Sequence, residues 1–221
     1  MRCVVSVATG PHYVANLERL VSSALLRSND EKCIFWRNEL PAGSPTHAEN
    51  PYAFKIYAIE EAVRQGATSI LWMDSSVVIL KPLEPLWELI ERKGYWFSRN
   101  YGYNNAQFTS DEALRIMDTT RHDAKQVSHV VASCFGLNMR SPVAKQFLEE
   151  WKFFASHGAF KGDRGDLSGG NDPDKFYGHR NDQSVASQVC FWMEMDLTDP
   201  PDYFAEQGAP QNERTILTLE R

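Results

Sequence analysis

Short apolar runs alternate along this chain with longer segments whose apolar residues recur at helical spacing. The short runs are typical of strands buried in an α/β sheet, and spacings of three and four are typical of amphipathic helices. Strands are predicted at residues 2–8, 32–36, 69–73, 77–80, 95–98 and 130–139, and helices at residues 11–27, 51–65, 86–92, 143–157 and 182–190. Residues 215–219 alternate like a last edge strand. This order predicts an α/β fold with a central, mostly parallel sheet flanked by helices.

Length and charge narrow the class of protein. The chain has 221 residues, which is enough for one α/β core but too few for two cores of ordinary size. We therefore predict a single domain over residues 1–221. The net charge is −6, whereas nucleic-acid and anionic-membrane surfaces need many Lys and Arg side chains on one face. No apolar stretch reaches transmembrane length. Neither a nucleic-acid partner nor a transmembrane segment is therefore expected.

The cysteines and the N-terminal residues indicate the cellular compartment of the protein. Cys3, Cys33, Cys134 and Cys190 lie far apart beside apolar runs and form no C-x-x-C pair, which predicts four buried reduced thiols. The N-terminus enters a strand pattern directly, without the apolar region of a signal peptide. These observations predict a cytoplasmic protein.

Asp74 interrupts two apolar runs and is the first candidate for chemistry. It follows the strand predicted at residues 69–73, and Ser75 and Ser76 come directly after it. Ligands of open α/β sheets bind outside the carboxyl ends of strands, where a carboxylate can reach a ligand or its metal ion. The alternative is a turn, since Asp-Ser-Ser suits one well. The residues alone favour neither interpretation.

The loop after the first strand is a second candidate, with Thr9, Gly10 and Tyr13. It carries neither a dinucleotide fingerprint nor a phosphate-binding P-loop. Thr9 is able to hydrogen-bond a pyrimidine edge and Tyr13 to stack on its ring. Alternatively, Thr9 only ends the strand and Tyr13 packs on it.

A polar cluster, His179-Arg180-Asn181-Asp182-Gln183, precedes an apolar helix. Asp182 suits a helix cap, and a lone His is most often a hydrogen-bonded loop residue. Five consecutive polar side chains nevertheless exceed what one cap requires, which favours contacts with a sugar, a phosphate or a metal. Asp74 and Asp182 are expected to share one crevice, because both fall at the carboxyl edge of one sheet.

Three further features have open interpretations. Lys55 either points a cation into the crevice or extends to water beside its helix's apolar stripe, which includes Val63. Residues 158–178 are rich in Gly and Asp and nonperiodic, which predicts a mobile loop within the domain. Tyr101 and Tyr103 lie in an aromatic segment and are candidates for a binding platform, although several aromatic residues there are expected to be core.

These motifs, in this order, resemble GT-A nucleotide-sugar glycosyltransferases, whose fold is Rossmann-related. The carriers of the resemblance are the opening strand with Thr9 and Tyr13, Lys55 early in a helix, Leu71-Trp72-Met73-Asp74-Ser75-Ser76, the strand Val131-Ala132-Ser133-Cys134-Phe135-Gly136-Leu137-Asn138-Met139 and the pair Asp182-Gln183. The last pair is similar to the Asp-Gln pair of family-8-like retaining members. The resemblance covers roughly residues 3–190.

The resemblance implies a role for each matching residue. Asp74, Ser75 and Ser76 take the place of the Asp-x-Asp motif, which binds the donor and a divalent cation, Mn²⁺ or Mg²⁺. Ser76 stands where the second acid does, and a hydroxyl is a poorer ligand for these ions than a carboxylate. By position, Asp74 and Ser76 are candidate metal ligands, and His179 of the polar cluster is a further candidate. The remaining roles are donor binding for Thr9, Gly10, Tyr13, Lys55 and Arg180, and catalysis for Asp182 and Gln183. Tyr101 and Tyr103 are the candidates for an aromatic platform under the acceptor sugar.

The implied activity is transfer of a hexose-type sugar from a nucleoside-diphosphate sugar, with UDP the expected nucleotide. The acceptor is a hydroxyl group on a glycan or another small molecule. A non-catalytic nucleotide-sugar-binding or glycan-binding domain of the same fold is the alternative, and Ser76 suits it. A metal-dependent nucleotidyl- or phosphotransferase would need a denser cluster of acids or a Gly-rich phosphate loop, and the sequence has neither.

Overall fold

The computed structural model of the protein describes residues 1–27, 31–165 and 172–220. The strands are β1 (Arg2–Ala8), β2 (Lys32–Arg37), β3 (Ser69–Met73), β4 (Val77–Ile79), β5 (Tyr95–Asn104), β6 (Ser128–Asn138), β7 (Tyr203–Ala205) and β8 (Thr215–Leu219). The helices are α1 (Pro11–Arg27), α2 (Phe54–Arg64), α3 (Glu84–Lys93), α4 (Asp111–Ile116), α5 (Arg121–Ala124), α6 (Pro142–Ser156) and α7 (Asp182–Trp192). None of the helices in these described ranges is both long and apolar enough to cross a membrane.

The central sheet has five strands in the order β2-β1-β3-β6-β5. β1 pairs in parallel with both β2 and β3, whereas β6 runs antiparallel to its neighbours β3 and β5. Four of the five strands therefore point the same way. The predicted α/β fold with a mostly parallel central sheet is confirmed.

A second, smaller sheet has the order β4-β8-β7. β8 pairs antiparallel with β4 and parallel with β7, and all five of its residues are buried. The prediction that residues 215–219 form an edge strand is wrong, because strands from two distant parts of the chain cover both sides of β8. Their alternation reflects two packed faces rather than one face in solvent.

Successive side chains of the central strands point to opposite faces, and each face has its own core. Cys3 and Val5 of β1 pack with Trp72 of β3 in a cluster that also contains residues of α2, α6 and α7. Val4 and Leu71 instead join a cluster with α1, α3 and the smaller sheet. Strands buried on both faces explain why β1 and β3 are uninterrupted apolar runs.

Several local predictions need correction. α2 begins at Phe54 rather than at Pro51, and Val63 is 37% exposed and so lies off the buried face of the helix. Lys55 lies on that buried face instead. Three cysteines are buried, but Cys33 is exposed on β2. Of the loop predicted to be mobile, residues 166–171 lie outside the described residues.

Candidate active site

A cleft of about 630 Å³ opens at the carboxyl ends of β1 and β3. Thr9 follows β1, Asp74 follows β3, and Asp182 begins α7 on the opposite wall. Its other lining residues are Val7, His12, Tyr13, Asn16, His47, Tyr52, Phe54, Lys55, Ser75, Ser76, Asn100, Tyr103, Phe108, Val131, Ala132, Ser133, Arg164, Tyr177, Arg180, Asn181, Gln183, Glu206 and Leu219. The volume is that of a pocket for a small-molecule ligand.

A buried lysine joins the two acids of the cleft. Lys55 Nζ lies 3.0 Å from Asp74 Oδ1 and 2.9 Å from Asp182 Oδ2. It also donates to the backbone oxygen of Ala132 at 2.8 Å. The two carboxylate contacts are ion pairs, and the Ala132 oxygen accepts a hydrogen bond from the same ammonium. Asp74 and Asp182 therefore share the crevice, as predicted, and Lys55 points into it rather than to water.

The environment of this network shifts the pKa of two of its members. Burial alone would lower the pKa of Lys55, but the carboxylates of Asp182 and Asp74 outweigh it and hold that pKa above its ordinary value. Burial raises the pKa of Asp182 to about 6, although Lys55 opposes the shift. Lys55 is therefore a fixed cation, whereas Asp182 titrates near neutral pH.

Local contacts fix the orientation of both acids. Trp72 Nε1 donates to Asp74 Oδ1 at 2.8 Å, and the backbone nitrogen of Asp74 donates to the oxygen of Ser133 on β6 at 2.6 Å. On the other wall, Trp151 Nε1 of α6 donates to the backbone oxygen of Asp182 at 3.0 Å. Two buried indoles thus hold the elements that carry the acids.

The residue before Asp182 has an unusual backbone. Asn181 has φ 49° and ψ −116°, a conformation that a residue with a Cβ rarely adopts. Its Nδ2 donates to the oxygen of Phe160 at 2.7 Å, but its buried Oδ1 accepts no hydrogen bond from the described residues. Among the described residues, Asn181 therefore has an unpaired buried acceptor next to the cleft.

Gln183 is held against β6 beside the cleft. Its Nε2 donates to the oxygen of Val130 at 2.7 Å and lies 3.3 Å from His129 Nδ1. Burial lowers the pKa of His129 to about 3, so this imidazole is neutral at neutral pH. The arrangement orients the amide of Gln183 at the start of α7.

The structure brings together most of the residues selected from the sequence. Those lining the cleft are Thr9, Tyr13, Lys55, Asp74, Ser75, Ser76, Tyr103, Arg180, Asp182 and Gln183. Gly10 is not among them. Its nitrogen donates to Asn38 Oδ1 at 3.0 Å, so Gly10 shapes the loop between Thr9 and Tyr13 rather than facing the cleft.

His179 is not placed to bind a metal ion. Its side chain is fully buried outside the cleft lining. Its Nε2 bonds the oxygen of Ala159 at 3.0 Å, and its Nδ1 accepts from the nitrogen of Ser110 at 3.3 Å. Burial also lowers its pKa to about 4. His179 is thus a hydrogen-bonded loop residue, which is the simpler of the two interpretations.

Tyr101 and Tyr103 both lie on β5 but differ in exposure and in their relation to the cleft. Tyr103 lines the cleft, with its ring edge-on to Phe108 at 5.3 Å between centroids. Tyr101 is 74% exposed and lies outside the lining. Of the two residues predicted to form an acceptor platform, only Tyr103 therefore lies in the cleft lining.

Arg164 is the most consequential cleft residue that the sequence did not indicate. Its guanidinium carbon lies 5.7 Å from the centre of the Tyr52 ring. The Arg164 backbone is packed so closely on Gly178, at φ +118°, that a Cβ there would lie 1.6 Å from the oxygen of Arg164. The glycines of this nonperiodic segment were the sequence signal for such a close approach of two backbones. Nothing in the sequence indicated which side chain it would direct into the cleft.

The donor atoms of the cleft do not fit a divalent cation of the Asp-x-Asp type. Asp74 Oδ1 is already bonded to Lys55 and Trp72, and Ser76 offers only a hydroxyl. Within residues 1–27, 31–165 and 172–220, no three His, Cys, Asp or Glu side chains are grouped to hold a metal ion. Mn²⁺ and Mg²⁺ bind best to several carboxylate, carbonyl or water oxygens.

Comparison with solved structures identifies the fold. The apo form of mouse xyloside xylosyltransferase 1 matches with a TM-score of 0.59 and 12% identity, over 100% of this chain and 97% of that one. The apo structure of the bifunctional glycosyltransferase WbbM matches with a TM-score of 0.58 and 9% identity, over 99% of this chain and 45% of WbbM. This chain thus spans less than half of WbbM. No protein-family model and no curated protein matches the sequence. The chain has a GT-A-type glycosyltransferase fold.

Proposed function

We propose that this protein transfers a sugar from a nucleoside-diphosphate sugar, with UDP as the nucleotide, to a hydroxyl group of a glycan or another small acceptor. The observation that carries the proposal is the Lys55 ammonium, 2% exposed, held between Asp74 and Asp182 in the cleft of a GT-A-type fold. Buried charges with shifted pKa values inside a cleft are characteristic of functional sites. The Asp182-Gln183 pair supports a family-8-like assignment.

The donor's base and ribose are assigned to the β1 and β3 side of the cleft. Thr9 has a hydroxyl for a base edge, and Tyr13, which is 55% exposed, has a ring face on which a base can stack. Asp74 still has its second carboxylate oxygen, which suits ribose hydroxyls as an acceptor. Ser75 and Ser76 add hydroxyls next to it.

The transfer step is assigned to the start of α7. The bond between the anomeric carbon and the diphosphate oxygen breaks, and a bond to the acceptor oxygen forms. The proton of the acceptor hydroxyl leaves with the diphosphate. The sugar acquires oxocarbenium character during this exchange, and the ionised carboxylate of Asp182 stabilises that positive charge. Gln183 positions the sugar, and Tyr103 supplies the acceptor with an aromatic face.

Thermal denaturation with a panel of UDP, GDP and their sugars tests the proposal. A ligand that binds the native state at a hundredfold excess over Kd adds about 2.7 kcal/mol of stability. We expect one nucleotide sugar to raise the melting temperature of the wild type and not that of Asp74→Ala. A panel that leaves the wild type unchanged would count against the proposal.

A non-catalytic binding domain is the second candidate, and Ser76 in place of an acid favours it. The two candidates differ in turnover. A binding domain would show the same stabilisation by the nucleotide sugar but would release no nucleoside diphosphate in the presence of acceptor sugars. Release of UDP or GDP, coupled to appearance of the elongated acceptor, is expected only of the transferase.

A further inference from the structure

We propose that the cleft binds the donor's diphosphate without a divalent cation, through the guanidinium groups of Arg164 and Arg180. The inference rests on the proposed function and specifies how its donor is held. It departs from the metal-dependent binding that an Asp-x-Asp motif implies. Three features of the described residues support it: the position of Lys55, the small number of metal ligands in the cleft, and the two arginines that line the cleft beside Lys55.

Lys55 already occupies the place between the two acids. Its ammonium nitrogen is within 3.0 Å of an oxygen of each carboxylate. A metal ion between the same two oxygens would have to displace this charged group. That displacement would leave a buried ammonium without its carboxylate partners, which is strongly unfavourable. Lys55 therefore acts as the permanent counter-ion of Asp74 and Asp182.

Lys55 cannot also neutralise a diphosphate. Its charge is already paired with Asp74 and Asp182, and it donates a hydrogen bond to the oxygen of Ala132. With both acids ionised, these three side chains carry one excess negative charge, which repels a phosphate. Neutralisation must therefore come from other cations in the cleft.

Arg164 and Arg180 are those cations. In the part of the chain that the structure describes, the lysines and arginines lining the cleft are Lys55, Arg164 and Arg180. Guanidinium groups bind phosphate oxygens in pairs through parallel hydrogen bonds, which an ammonium does not do. Two of them supply the charge that a diphosphate requires.

Both guanidinium groups lie near aromatic rings of the cleft wall. Arg164 lies 5.7 Å from the Tyr52 ring centre, and Arg180 lies 5.3 Å from that of Phe108. An aromatic face favours a guanidinium and limits its freedom. The backbone is fixed as well, since the nitrogen of Arg180 donates to the oxygen of Phe108 at 2.9 Å and the Arg164 oxygen packs on Gly178. The cations are thus positioned before a ligand arrives.

Isothermal titration of the full chain with UDP and GDP, each in EDTA and in Mn²⁺, tests the inference. We expect at least one of the two to bind, with a Kd in EDTA within about twofold of that in Mn²⁺. Arg164→Met and Arg180→Met should each raise that Kd at least tenfold. Arg164→Lys, which keeps the charge and loses the paired donors, should fall in between. Arg115→Met is the matched control, because Arg115 pairs with Glu112 on the exposed face of α4, and its Kd should be unchanged.

The possible results separate the two proposals. Binding that appears only with Mn²⁺ would overturn metal-free recognition and leave the proposed transferase intact. Metal-independent binding that both arginine variants retain at wild-type strength would overturn the assignment of Arg164 and Arg180. Failure of both nucleotides to bind under either condition would remove the proposed function and this inference together. The comparison of wild type in EDTA and in Mn²⁺ decides the metal question even if an arginine variant fails to fold.

Discussion

Asp74 and Asp182 contact the same ammonium group, that of Lys55, at 3.0 and 2.9 Å. One acid follows β3 and the other begins α7, so this contact joins two elements that are distant in the sequence. The contact also places a buried charged group in the lining of the cleft.

Lys55→Met should destabilise the protein by about 3–5 kcal/mol, because it leaves two carboxylates near each other without a cation. Denaturant unfolding followed by circular dichroism measures the change. Lys152→Met is the control. Lys152 pairs with Glu60 on the surface at 2.5 Å, and the loss of such a pair is expected to cost less than about 1 kcal/mol.

A double substitution checks that charge is the cause. Lys55→Met combined with Asp182→Asn removes the lysine and one acid together, so it should be less destabilised than the sum of the two single variants. Additive losses would mean that Lys55 contributes through packing alone.

Asp182→Asn and Asp74→Ala should each abolish sugar transfer while the fold is kept. The loss of an electrostatic group at a reacting centre typically lowers kcat by roughly a hundredfold to a thousandfold. Asp196→Asn is the control, since Asp196 is a largely exposed partner of Lys93 outside the cleft. If either cleft variant retained near wild-type turnover, the assigned role of that residue would be wrong.

Asp182 should make stability and activity depend on pH in opposite senses. Its pKa in the folded state is about 6, against an ordinary 3.8. The folded state binds this proton more tightly than the unfolded chain, so the stability that Asp182 contributes is full below pH 3.8 and lost as the pH rises through about 6. Transfer, which needs the ionised form, should instead rise through the same range.

Denaturant unfolding of the wild type and Asp182→Asn over this pH range provides the measurement. The difference in unfolding free energy between the two should change across the interval from 3.8 to about 6 and level off above it. A constant difference would show that the folded Asp182 titrates like an exposed aspartate.

Tyr103→Ala and Tyr101→Ala should differ although they are neighbours on β5. Tyr103 lines the cleft and Tyr101 is 74% exposed outside it. Steady-state kinetics should show a higher KM for the acceptor in Tyr103→Ala, with the donor KM little changed, and wild-type values in Tyr101→Ala. Equal effects of the two substitutions would contradict the placement of the acceptor.

Ser76→Asp should make nucleotide binding depend on metal. The new carboxylate completes an Asp-x-Asp pair but adds negative charge next to the diphosphate. We expect weaker UDP binding in EDTA than in the wild type, and recovery on addition of Mn²⁺, both measured by titration calorimetry. Ser44→Asp, on a polar loop outside the cleft lining, is the control and should leave binding unchanged. Unchanged metal-free binding in Ser76→Asp would place the diphosphate away from this turn.

The sequence predicted those features that depend on local pattern. β1 and β3 were recognisable because strands buried on both faces are uninterrupted apolar runs, and Asp74 was recognisable because it ends one of them. β8 was misjudged because alternation in a short strand does not reveal its neighbours. These differences follow from tertiary pairing, which no window of sequence contains.

The chemistry of the site was predictable only in part. Lys55 looked like a marginal position on its helix, since its burial depends on acids supplied by β3 and α7. His179 looked like a ligand because the backbone groups that bond both of its ring nitrogens are remote in sequence. Arg164 lies in a nonperiodic segment whose side-chain directions are set by packing on Gly178.

The buried position of Lys55 also has a consequence for how the chain is made. During synthesis α2 and β3 leave the ribosome well before α7, so Lys55 and Asp74 exist for a time without Asp182. Until α7 docks, the ammonium has one carboxylate partner instead of two, so its transfer out of water is less well compensated. Burial of Lys55 and completion of the cleft therefore both depend on α7, and a nascent chain that stops before α7 has all five strands of the central sheet but lacks Asp182 and Gln183.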